Sequence, residues 1–206
     1  MSSTHTTDRR HERGIRTRTA LVDVALDLFE RQGFDRTTVD QIAATAGVSQ
    51  RTFFHHFPTK EAVLFSGYAD RLAEASARFR QVPPDAGLAE AIERATTPVA
   101  EAIDEHPGLF LRRNRLYAAA PSLRATMLRI NEEWIDELTV EVARRLDLHP
   151  DDLRARLVAT MANGATRAAI DCWVAADGAV DFSRLAVESF SLLRPTVDHI
   201  EGTTRG

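Results

Sequence analysis

Residues 38–60 read TVDQIAATAGVSQRTFFHHFPTK, two short helical segments on either side of one glycine. Thr38 is an N-cap, and Gln41 three residues on completes a capping box. Ile42, Ala43 and Ala46 supply the inward face of the first segment. Gly47 stands where that helix must stop and turn, since glycine reaches positive φ without a steric cost. Ser49 is a second N-cap, opening a helix of about Gln50 to His56. Two helices joined by a three- or four-residue turn containing glycine make a helix-turn-helix, whose second helix enters the major groove of DNA. Phe53 and Phe57, four apart, should point inward as core, leaving Gln50, Arg51, Phe54 and His55 toward the outer face. Gln pairs well with adenine and Arg with guanine at major-groove edges. A solvated helix start is the other reading of Gln50 and Arg51.

The words inside the stretch narrow it further. Thr38, Ile42, Ala43, Ala46, Gly47, Val48, Ser49, Phe53, Phe54, His56, Phe57, Lys60 and Glu61 fall in register with one pattern. That pattern is T-hydrophobic-x-x-I-A-x-x-A-G-V-S-x-x-x-hydrophobic-aromatic-x-H-F-x-x-K-E. On these residues the chain resembles the TetR family of transcriptional regulators, closely over about residues 16–65 and more loosely beyond. The resemblance implies DNA contacts from Thr38, Ser49, Gln50, Arg51, Phe54, His55, His56 and Lys60. Thr38 and Lys60 sit at helix N-termini, where amides and a cation can grip phosphate. Phe54 departs from the family's more frequent Tyr: a phenol donor is lost, while the ring can still pack on sugar or a thymine methyl. For His56 a buried, backbone-bonded imidazole is the alternative. His55 and His56 make a poor metal pair, because consecutive helical side chains diverge.

Composition agrees with a DNA-reading front on a different body. Residues 1–60 carry nine Lys+Arg against seven Asp+Glu, a balance of +2; the remainder carries seventeen against twenty-three, a balance of −6. The one cysteine, Cys172, excludes an intramolecular disulfide framework and suits a reducing cytoplasm. No apolar run approaches the ~20 residues needed to cross a bilayer. The polar start, MSSTHTTDRRHERGIR, lacks the apolar core of a signal peptide, so a cytoplasmic protein without membrane contact is expected.

Read in order, the chain predicts an all-α fold of about nine helices: a three-helix head on a larger helical body. The expected divisions are a disordered basic arm over 1–14, the DNA-binding domain over 15–65, a ligand-binding and dimerisation domain over 66–195, and a loose tail over 196–206. The arm is either a floppy tail or a strand that follows the minor groove. Helix 1 runs from about Arg16 to Gln32 on a stripe of Leu21, Val24, Ala25, Leu28 and Phe29. A fourth helix begins at Thr59 and continues to about Phe79. Helices then follow from Leu88 to Asp104, from Ser122 to about Arg145, up to about Ala176, and from Asp181 to a stop at Pro195.

For the body, the resemblance implies a homodimer through the last two long helices and a ligand pocket among the central ones. Dimerisation makes physical sense, because one short recognition helix contacts few bases and two can read a palindromic operator. Arg112, Arg113, Tyr117, Met127, Asn131, Trp134, Asn163 and Arg167 are the ligand-binding candidates. Trp134 and Met127 read equally as core, and Arg167 as the partner of Asp171 at i,i+4. Arg112, Arg113 and Arg115 suggest a clamp for an anionic, acyl-CoA-like effector, or else a charged outer face. RRNRLYAAAPSLRA, with Trp173 closing the penultimate helix, is similar to the TetR branch that includes regulators of mycofactocin-type clusters. The function implied is a repressor released from DNA by a small molecule. A ligand-free DNA-binding dimer is the first alternative and an α-helical enzyme the second. Against an enzyme, no G-x-S-x-G, phosphate-cradling glycine loop, H-E-x-x-H or C-x-x-C occurs, and no cofactor is expected.

Overall fold

A computed structural model describes the backbone of residues 3–205 and the side chains of residues 12–204. Among these residues there are ten α-helices and no strand. The chain divides into two compact units. The first holds the chain up to Ser66 together with Arg115–Leu123, and the second holds Gly67–Asn114 and the chain from Arg124 onward.

The first unit contains α1 (Ser3–Gln32), α2 (Val39–Thr45), α3 (Gln50–His56) and α4 (Lys60–Leu64). Helix α1 starts well before Arg16, so the expected disordered arm is helical in its backbone from Ser3. No proline interrupts that stretch, and Gly14 within it costs a helix only about 1 kcal/mol. Arg9 and Arg10, which would enter a groove, lie outside the described side chains. Leu21, Ala25, Leu26 and Phe29 are buried along α1, while Val24 and Leu28 are half-buried, so the apolar stripe sits slightly round from the one expected. Helix α1 packs on α2 and α4, and α2 on α3. Residues 115–123 bring buried Leu116, Tyr117, Ala120 and Leu123 to this unit, although the sequence places them in the body. The Tyr117 hydroxyl donates to the Leu64 carbonyl at 3.1 Å, and its ring stacks on Phe65 at 5.1 Å.

The long helix expected from Thr59 is two helices. The first ends at Leu64 and α5 (Tyr68–Gln81) begins after a break at Gly67, whose φ of +83° belongs to left-handed backbone. The second unit continues with α6 (Leu88–Glu105), α7 (Pro107–Ala119), α8 (Pro121–Arg145), α9 (Leu153–Ala175) and α10 (Phe182–Arg205), of which α7 and α8 give their adjoining ends to the first unit. Helix α6 packs on α5 and α10, and α9 on α10. One apolar core gathers Phe79, Leu88, Ile92, Val142, Val158, Phe190, Val197 and Ile200; a second gathers Ile103, Phe110, Trp173 and Phe182.

Polar groups close the ends of these helices. Glu201 in α10 accepts the Leu88 N–H at 2.7 Å, capping α6 from a distant part of the chain. Arg145 donates to the carbonyls of Val82 (3.1 Å), Pro83 (2.7 Å) and Ala86, holding the loop between α5 and α6. Asp152 caps α9, and the Arg154 guanidinium and N–H bonded to it hold its carboxyl down to about 2. The loose tail expected after Pro195 is a correction, since α10 runs through that proline to Arg205. An internal proline costs a helix about 3 kcal/mol. Burial of Val197 and Ile200 beyond it offsets this at about 1.5–3 kcal/mol per side chain.

Candidate nucleic-acid interface and ligand cavity

The head is built to hold one seven-residue helix rigidly. Thr38 and Gln41 make the expected reciprocal box: the Gln41 N–H reaches Thr38 Oγ1 at 3.2 Å and the Thr38 N–H reaches Gln41 Oε1 at 2.9 Å. Gln32 Nε2 adds a bond to the same Oε1 at 2.9 Å, joining the end of α1 to the start of α2. At the turn, Gly47 has φ +68° and the Val48 N–H returns to the Ala43 carbonyl at 2.9 Å, which closes α2 in the Schellman manner. Ser49 Oγ then accepts the Thr52 N–H at 3.1 Å, starting α3.

Within α3 the side chains sort by direction. Phe53 and Phe57 are fully buried, while Gln50, Arg51 and His55 are exposed and Phe54 keeps 51% of its surface open. An exposed aromatic beside a Gln, an Arg and a His is a face suited to base edges and sugars. His56 is half-buried. Its pKa lies below the usual histidine value, first because of desolvation and then through the nearby His55 and Arg18. Arg18, which the sequence did not single out, donates to the His56 carbonyl at 3.3 Å and lies 4.7 Å over the Phe57 ring, so it closes the end of α3. Lys60 turns inward: its ammonium donates to the carbonyls of Phe34 at 2.8 Å and Thr37 at 2.9 Å. Thr38, Ser49, Gln50, Arg51, Phe54 and His55 are therefore exposed, and Lys60 is engaged inside the head.

In the second unit a cavity of about 80 Å³ lies among α5, α6, α7, α8 and α9. Met127, Asn131, Trp134, Asn163 and Arg167 line it, five of the eight side chains expected of a ligand site. Tyr68, Arg71, Phe110 and Asn114 also line it and were not foreseen. Arg71 lies 4.7 Å over the Tyr68 ring and 5.6 Å from that of Phe110. Arg167 holds Asp171 through Nη2 at 2.7 Å, the pairing that its i,i+4 spacing allows. Arg112, Arg113 and Tyr117 are not among the lining residues. None of Arg112, Arg113 and Arg115 lines this cavity: on α7 Arg113 is buried, Arg112 half-buried and Arg115 exposed. Tyr117 belongs to the first unit.

Among the described residues no helix is long and apolar enough to cross a membrane, and no group of three or more His, Cys, Asp or Glu could hold a metal ion.

Known proteins share both parts. Residues 21–66 match the family described as bacterial regulatory proteins, tetR family, and residues 86–198, more than half of the chain, match the MftR C-terminal domain. The HTH-type transcriptional regulator TcmR of Streptomyces glaucescens is 32% identical over 193 residues, covering 87% of this chain and 84% of its own. MftR of Mycobacterium tuberculosis, a transcriptional regulator named for mycofactocin biosynthesis, is 26% identical over 179 residues, covering 86% of this chain and 89% of its own. Among solved structures, the transcriptional regulator FadR from Bacillus subtilis in complex with stearoyl-CoA has a TM-score of 0.61 at 19% identity, covering 85% of this chain and 96% of that one. The SmeT–triclosan complex has a TM-score of 0.61 at 16% identity, covering 86% and 89%. At such identities the two structures speak for the fold alone. With its capped helix-turn-helix matched at the front and its helical body matched behind, the chain belongs to the TetR family of transcriptional regulators.

Proposed function

We propose that this regulator is a repressor that binds a palindromic operator as a homodimer and leaves it when a small molecule occupies the body cavity. The observation that carries the reading is the open face of α3. Gln50, Arg51, Phe54 and His55 stay exposed although the same short helix buries Phe53 and Phe57 completely. Gln50 and Arg51 are assigned to base edges, and Thr38, Ser49, His55 and His56 to the flanking phosphates. Phe54 packs on sugar or a thymine methyl, and Lys60 acts by fixing the α1–α2 turn.

Dimerisation is assigned to α9 and α10. Leu153 and Leu157 on α9 and Val187 and Leu192 on α10 are exposed large apolar side chains, and exposed Gly164 and Ala168 on α9 allow close approach of a second copy. The effector role is supported by the cavity, with an apolar wall and a few polar groups. FadR and SmeT, of the same fold, are described with stearoyl-CoA and triclosan bound. Release then follows from linkage: a ligand that favours one arrangement of the body shifts the population away from the one DNA selects. A coupling of about 1–3 kcal/mol changes operator affinity 5- to 150-fold. Gel-shift titration of the selected operator with and without a body-binding compound tests this. Weakened DNA binding is the expected result, and unchanged affinity at saturating compound removes the effector role.

A further inference from the structure

We infer that the ligand of the body cavity is a compact, largely apolar molecule recognised through a neutral group that both donates and accepts hydrogen bonds. The inference deepens the effector reading above and rests on it. It rests on which polar groups in the cavity are already spent.

Most of them are. Thr96 Oγ1 donates to the Glu93 carbonyl at 2.9 Å, and Thr166 Oγ1 to that of Ala162 at 3.1 Å. The Asn114 amide donates to the Phe110 carbonyl at 2.9 Å. The Arg167 guanidinium is matched by the Asp171 carboxylate at 2.7 Å. Two groups differ. Asn131 on α8 and Asn163 on α9 line the cavity half-buried, and among the described residues neither side-chain amide has a hydrogen-bond partner.

Each carboxamide offers one carbonyl acceptor and two N–H donors. A ligand carboxylate or phosphate could use the donors, but it would leave two amide oxygens facing negative oxygen. A neutral amide or hydroxy-carbonyl group answers both halves of each side chain. Beside Asn131, one helical turn on, Trp134 lines the same wall, with Met127 one turn back. These give the rest of the ligand an apolar, ring-tolerant bed.

Size points the same way. An engineered cavity of about 150 Å³ holds one benzene, and this one is about 80 Å³. A single ring with a short polar group is within reach of small side-chain movements. A long acyl thioester would have to part the helices.

The test uses the full-length protein and three probes: benzamide, benzoate and stearoyl-CoA, each titrated against tryptophan fluorescence and ligand-observed NMR. Benzamide should bind about tenfold more tightly than benzoate, the effect of about one hydrogen bond left unmade. Asn131→Leu and Asn163→Leu should each remove most of that preference. If a variant fails to fold, the benzamide-to-benzoate ratio on the unaltered protein still decides. Tighter binding of benzoate, or binding of stearoyl-CoA alone, overturns the neutral-ligand inference and leaves the effector reading standing. A benzamide preference that survives both substitutions overturns the role of the two amides. Failure of all three probes to bind overturns the inference and the effector reading of this cavity together.

Discussion

The ammonium of Lys60 rests 4.2 Å from the centre of the Phe34 ring and donates to the Phe34 carbonyl at 2.8 Å. A second bond from the same nitrogen, to Thr37 at 2.9 Å, ties α4 to the turn that delivers the capped start of α2. Lys60→Met keeps the apolar stem and removes the cation. We expect a loss of about 1.5–3 kcal/mol in unfolding free energy by urea titration, the range for hydrogen bonds to a charged group. The slope of operator affinity against salt should stay unchanged. A slope reduced by about one, with stability intact, would instead mark Lys60 as a phosphate contact.

Arg51 stands in the open on the first turn of α3, and under the proposed function it is assigned to a base edge. Arg51→Ala should cost about 1–3 kcal/mol on the selected operator and relax discrimination at one position of each half-site. Competition binding with operators substituted one base pair at a time measures it. Equal weakening at every sequence would reassign Arg51 to the backbone.

The lowered pKa of His56 makes stability depend on pH. Its folded value lies below the unfolded one, so the unfolded chain binds the proton first. Stability should therefore be full above the ordinary histidine pKa of about 6.5 and decline as pH falls below it toward the folded value. His56→Gln should flatten that decline in urea titrations between about pH 7.5 and 5. The same decline in the variant would place its origin in another group.

Gly67 ends the helical run between α4 and α5 with φ +83°, and a Cβ there would come within 2.8 Å of Arg71 Nη1. The arginine tip can move, but an L residue in left-handed backbone costs about 1–2 kcal/mol regardless. Gly67→Ala should lower stability by that amount in thermal or urea unfolding. An unchanged midpoint would mean that the break is not needed.

Much of the head was legible because its residues carry local meanings. Thr38, Gln41, Gly47 and Ser49 act on backbone within a few positions, and each does in the structure what its type and spacing implied. Phe53 and Phe57 were placed inward by the helical period alone. What escaped depends on distant partners or on reading a neighbour's direction. Pro195 looked like a helix stop because its local cost is visible, whereas the burial of Val197 and Ile200 that outweighs it is not. The helix expected from Thr59 to about Phe79 breaks at Gly67, because a single glycine inside a helical pattern is locally tolerated and marks no stop by itself. The arginines at 112, 113 and 115 are close in sequence, yet Arg113 points away from Arg112 as a consecutive helical position, and which elements pack over that face is not written locally. In the cavity, Met127, Asn131, Trp134, Asn163 and Arg167 come from α8 and α9 and belong to the expected candidates, whereas Tyr68 and Arg71 come from α5, outside the candidate set.

Selection of bound fragments from random duplex DNA by the full-length protein tests the central claim most directly. The account predicts one enriched site made of two inverted half-sites, their centres one helical turn of about 10–10.5 base pairs apart or a multiple of it. It also predicts that Gln50→Ala and Arg51→Ala change the bases selected within each half-site. An unsymmetrical site, no enrichment, or the same site selected by both variants would contradict it.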